Sequence, residues 1–142
     1  MFGRKKVTKK RTVLFVDDDV LVLQSLERGL LDESYNKLFA KSCEEALEVI
    51  KREEVHVIVA DMCMPEMTGL ELLRVVRKKY PGVIGMVLSG YGDDTGLQNA
   101  VEQKEIFKLI SKPWKFGEVD FESLVRKAID HYNLQFTRYS RH

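Results

Sequence analysis

Five short apolar runs alternate with stretches whose apolar residues recur at helical spacing, and this alternation constrains the fold more than any other feature. The runs are Thr12–Val16, Leu38–Ala40, Val55–Ala60, Val83–Ser89 and Phe107–Ser111. Runs of this length read as strands, and those without polar interruption read as strands covered on both faces. Between them, helix one is expected over Val20–Leu31, with Leu23, Leu26, Leu30 and Leu31 on one stripe. Helix two starts at Ser42, where Ser42-Cys43-Glu44-Glu45 fits a capping box, and Ala46, Leu47 and Ile50 give its buried face. Helix three starts near Gly69, buries Leu72, Leu73 and Val76, and stops at Tyr80-Pro81-Gly82. Helix four, around Asp94–Gln103, is weak, because Gly96 lies inside it and Leu97, Ala100 and Val101 are its clear apolar residues. A last helix begins near Glu118. The pattern predicts an α/β fold of five β–α units: a parallel sheet, helices on both faces, right-handed crossovers.

The last helix outruns the domain it belongs to. Phe121, Val125, Ala128, Tyr132, Phe136 and Tyr139 keep close to a 3.6-residue period. The expected division is a basic, unordered arm over 1–11, a domain over 12–130, and a continuation of the helix, or a linker, over 131–142. From about His131 the helix is expected to project beyond the sheet, as a linker or a dimer seam. The competing reading is a frayed end whose aromatics fold back.

At 142 residues the chain is long enough for one domain with a sizeable core. No apolar stretch approaches the ~20 residues of a membrane span, and the start has no secretion signal. Cys43 and Cys63 have no metal-ligand spacing and read as reduced thiols of a cytoplasmic protein. The net charge of +1 hides an asymmetry: residues 1–11 hold six basic residues and no acid, which leaves 17 basic and 22 acidic residues in the remainder. The arm is read as a solubilising tail, and nucleic-acid binding is not expected of this chain.

The chemistry gathers where the strands end. Asp17-Asp18-Asp19 follows the first run, Asp61 the third, Ser89-Gly90 ends the fourth and Lys112 follows the fifth. In a parallel sheet these ends share one edge, and ligands of open α/β sheets bind there. Two carboxylates ~4 Å apart repel by ~4 kcal/mol at an effective dielectric of 20. A divalent cation answers that repulsion, and oxygen ligands with room for water favour magnesium. Lys112 supplies a point charge for an anion such as phosphate, and Ser89 a hydroxyl donor. A carboxylate can itself be the nucleophile towards phosphorus, giving an aspartyl phosphate.

These motifs, taken in order, resemble the receiver domain of bacterial two-component response regulators. The matching residues are Val16-Asp17-Asp18-Asp19, Asp61-Met62-Cys63-Met64-Pro65-Glu66-Met67-Thr68-Gly69, Ser89-Gly90-Tyr91 and Ser111-Lys112-Pro113-Trp114, within residues 11–132. The resemblance implies a flavodoxin-like sheet of order 2-1-3-4-5. It implies Asp61 as phosphoacceptor from a sensor histidine kinase or phosphotransfer protein. It implies Mg2+ held by Asp18, Asp61 and the Cys63 carbonyl, with Asp17 bound through water. Ser89, Gly90 and Lys112 would line the phosphoryl group, and the Lys112–Pro113 bond would be cis. The protein would then be a switch, not an enzyme beyond its own phosphorylation and slow dephosphorylation. Phosphorylation would remodel the face of helix four, strand five and helix five, and that face or the extended last helix would serve a homodimer.

Three departures from the family pattern bear on that switch. The position three before Lys112, often aromatic in the family, is Leu109, and Phe107 lies two residues earlier, expected on the same face. Thr68 replaces an Asp and can still cap helix three. Cys63 and Tyr91 occupy the positions that tune dephosphorylation, where the Tyr91 ring is expected to shield the acyl phosphate from water. The alternatives are a degenerate receiver acting as a plain interaction module, and a haloacid-dehalogenase-type phosphatase with Asp17 as nucleophile and Asp19 as general acid. A flavodoxin-like flavin site is disfavoured, because three acids after strand one would repel a flavin phosphate.

Overall fold

The computed structural model describes residues 10–90, 95–111 and 121–140, with side chains described for 10–90, 96–111 and 121–135. Five parallel strands form one sheet in the order β2-β1-β3-β4-β5. They are β1 (Thr12–Val16), β2 (Asn36–Ala40), β3 (Val57–Asp61), β4 (Ile84–Ser89) and β5 (Lys108–Ser111). The helices are α1 (Val20–Gly29), α2 (Cys43–Arg52), α3 (Gly69–Lys79), α4 (Thr95–Glu102) and α5 (Phe121–Ser140). Elements and order are those expected.

The two-residue period of a strand divides the core in two. Leu14, Val16, Ile58, Ala60 and Val87 face the helices α2, α3 and α4, through residues such as Ala46, Ile50, Leu72 and Leu97. Val13, Phe15, Val57, Val59, Met86 and Leu88 face α1 and α5, through Leu26, Phe121, Val125 and Ala128. β1 and β3 are buried at every position, which is why they read as unbroken apolar runs. The edge strands β2 and β5 are partly exposed, and β2 starts at Asn36, ahead of its apolar part, because polar residues suit an exposed edge.

Several local expectations change. α1 stops at Gly29, and Leu31 lies past it, exposed rather than on the buried stripe. Ser42 caps α2 by accepting the Glu45 N–H, but Glu45 returns to the Lys41 N–H instead of closing a box on Ser42. The complete capping box belongs to α3: Thr68 Oγ1 accepts from the Glu71 N–H, and Glu71 Oε1 accepts from the Thr68 N–H. Helix four ends at Glu102, and Lys104 takes the left-handed conformation at φ 64°. The Lys104 N–H reaches the Val101 carbonyl and the Glu105 N–H the Ala100 carbonyl, the paired bonds of a Schellman cap.

Phe107 and Leu109 do not share a face. Phe107 precedes β5, stacks on His131 of α5 at 5.0 Å and joins the α1/α5 side, whereas Leu109 packs on the α2/α3/α4 side. The last helix also stays docked further than expected. Tyr132 packs on the α1/α5 core, and Gln135 donates to the Gly82 carbonyl at 3.4 Å. The helix runs helically to Ser140, but the side chains of Phe136 and Tyr139 lie outside the described residues. So do the arm over 1–9, Asp94 and Glu118, the two expected helix starts.

Candidate functional site

Asp61 is the last residue of β3 rather than the first residue after it. It pairs in register with Leu88 of β4, so its backbone is fixed by the sheet. The Met62 N–H continues the ladder to the Leu88 carbonyl at 2.8 Å, and the Gly69 N–H returns to the Met62 carbonyl at 3.0 Å. These bonds fold the Pro65-containing loop back and seat α3 directly behind Asp61. A Cβ on Gly69 would stand 3.0 Å from the Asp61 carbonyl carbon and closer still to its oxygen, so only glycine fits there.

Asp17 follows β1 immediately, and its N–H bonds the Ala40 carbonyl of β2 at 3.1 Å. Its Oδ1 accepts the Asp19 N–H at 2.9 Å, which fixes the carboxylate at the sheet edge. Asp19 turns the other way: its Oδ1 caps α1 by accepting from the Leu21 N–H at 3.0 Å. Asp19 therefore serves as a helix cap, a use unlike the general acid that a phosphatase pairing with Asp17 would need.

Carboxylate oxygens of Asp17, Asp18 and Asp61 all lie within 4.8 Å of one another. Asp17 and Asp61 are buried, at 1% and 6% exposure, and Asp18 is exposed. Three convergent hard oxygen donors, two of them shielded, form a donor set suited to a divalent cation that keeps some of its water. Cys63, two residues beyond Asp61, is exposed and not in a disulfide, while Cys43 is buried, and burial pushes its thiol above the usual range.

Ser89 ends β4, is buried, and donates from Oγ to the Gly90 carbonyl at 3.1 Å. It pairs in register with Ser111 at the end of β5. Lys112, Pro113, Trp114 and Tyr91 lie outside the described residues. Sequence reasoning missed the close packing of Gly69 on Asp61 and the Asp19 N–H that holds Asp17. The first had a signal in the glycine that opens an otherwise regular helix.

A doubly wound sheet carrying three acids and a buried hydroxyl on its carboxyl edge defines a flavodoxin-like fold with an acidic site. The chain belongs to the response regulator receiver domain family, whose model matches residues 13–121. It is 36% identical over 127 residues to the hydrogenase transcriptional regulatory protein HoxA of Cupriavidus necator, covering 89% of this chain and 26% of that protein. The chain thus spans about a quarter of the length of that relative. The adenylate cyclase structure from Rhodopirellula baltica superposes with a TM-score of 0.86 at 29% identity, covering 93% of this chain and 96% of that one. The beryllofluoride-activated NtrC4 receiver domain dimer superposes with a TM-score of 0.74 at 28% identity, covering 85% and 98%. The domain is a phosphorylation-activated switch of the two-component type.

Proposed function

We propose that Asp61 is the phosphoacceptor of this switch. Its carboxylate oxygen attacks phosphorus, a P–O bond forms, and the bond to the donor breaks with its electron pair leaving on the donor. The donor is the phosphohistidine of a sensor kinase or phosphotransfer protein, and the domain acts in the cytoplasm. The observation that carries this reading is the convergence of Asp17, Asp18 and Asp61 within 4.8 Å on the edge where β1 and β3 end.

Mg2+ fits this donor set: Asp18, Asp61 and the Cys63 carbonyl would hold it, and Asp17 would do so through a water. When bound, it neutralises charge on the phosphoryl oxygens. The chain's own residues do the rest. The Asp19 N–H holds Asp17 in place, and the β3–β4 ladder holds Asp61. Ser89 gives up its bond to Gly90 to meet the new oxygens, and Lys112 meets them from the end of β5. The added charge, roughly −1.5 to −2, biases the α4–β5–α5 face. Leu109 faces the α4 side, so an aliphatic residue stands where the family often has a ring. The Tyr91 ring and Cys63 govern access of water to the acyl phosphate, and that face or α5 serves a homodimer.

The test is exposure to acetyl phosphate and magnesium followed by intact-mass measurement and borohydride trapping. The expected result is a mass gain of one phosphoryl group and, after borohydride reduction with release of phosphate, homoserine in place of Asp61, with both lost in Asp61→Asn. Label at Asp17 would overturn the assignment.

A further inference from the structure

The fully buried face of α5 ends at Ala128. Ile129 and Tyr132 pack at the margin of the same core, and Leu134, beyond them, is about two-thirds exposed. The Tyr132 ring also meets the buried His56 ring edge-on, with centroids 4.9 Å apart. The Arg11 guanidinium carbon lies 5.1 Å from the Tyr132 centroid, and Arg11 Nε donates to Asn133 Oδ1 at 2.7 Å. Arg11 is itself anchored. Its carbonyl accepts the Asn36 N–H at 2.9 Å, and the next residue opens β1, where the Thr12 N–H donates to His56 Nδ1 at 2.9 Å.

We infer that Arg11 is a strap across the last helix: the residue before β1 fixes the direction in which α5 leaves the domain. One planar guanidinium makes both contacts, a stacking attraction to the Tyr132 ring and a charge-assisted bond to Asn133. The two residues it holds are consecutive on α5, so both contacts restrain the same turn. Lysine keeps the charge but lacks the flat fork that serves both partners. The strap does not depend on which residue accepts phosphate.

Amide hydrogen exchange on the full chain tests it. In Arg11→Ala, amides of Tyr132–Gln135 should exchange at least ~5-fold faster, while those of Val125–Ala128 and beryllofluoride binding stay unchanged. Arg11→Lys and Asn133→Ala should each give a smaller acceleration in the same turn. Unchanged exchange at Tyr132–Gln135 in Arg11→Ala overturns the strap. If that variant fails to fold, wild-type exchange in both Arg11→Lys and Asn133→Ala does so.

Discussion

Gly69 packs against the carbonyl of Asp61 so closely that the first turn of α3 and the end of β3 form a single unit. A Cβ there would meet Asp61 and Ala60 backbone atoms, which cannot swing away as a side chain can. Gly69→Ala is therefore expected to cost ~2–3 kcal/mol in urea unfolding, at the upper end of overpacking effects. It should also reduce phosphoryl acceptance, since the strain falls on the residue that carries the acceptor.

The three acids repel one another when no cation is bound. At 4.8 Å and an effective dielectric of 20 a pair costs ~3.5 kcal/mol, less for Asp18 because it is open to water. Asp18→Asn should raise the melting temperature in chelator by ~4 °C, the equivalent of ~1 kcal/mol. Magnesium at 100 times its dissociation constant should stabilise the natural protein by ~2.7 kcal/mol and the variant much less. Thermal melts with and without magnesium give both numbers.

Two bidentate ion pairs tie distant parts of the surface: Arg126 of α5 to Glu33, and Arg74 of α3 to Glu105 after α4. In each, the arginine hydrogen bonds hold the carboxyl below its ordinary value of 4.5. A depressed carboxyl contributes stability that is fully present above the unfolded value and is lost as pH falls through the folded one. Stability should accordingly decline below pH 4.5, and Arg126→Ala should flatten that decline while costing at most ~1 kcal/mol at neutral pH. Urea midpoints between pH 3 and 7 resolve the two slopes.

Thr68 takes part in both bonds of its capping box, one through its hydroxyl and one through its own N–H. Thr68→Ala should cost ~1 kcal/mol, because alanine has no side-chain acceptor for the Glu71 N–H, and Thr68→Asp should cost little, because its carboxylate accepts that bond. Chemical denaturation of the two variants side by side checks the ranking.

The central strands were legible because burial on both faces removes polar residues from them, and a parallel sheet then aligns Asp17, Asp61 and Ser89 on one edge. What escaped had no local signature. The end of α4 depends on Lys104 in a left-handed conformation, where glycine is the usual marker. His56 reads as one more member of an apolar run, yet its ring replaces a strand carbonyl as partner of the Thr12 N–H. Arg11 and Tyr132 stand at opposite ends of the chain, and only the closed fold brings them together. Phe107 was assigned by strand alternation to a face it does not occupy, because β5 begins one residue later.

β3 is flanked by β1 and β4, touches α5 through the residue before its first, and carries Asp61 as its last. Such a strand is the least compliant element available, so a group attached to its tip cannot relieve its charge by retreating. The surrounding loops must yield instead. The molecule therefore works like a fixed anvil with movable jaws, and substitutions that soften β3 should blunt the response even when every acid remains in place.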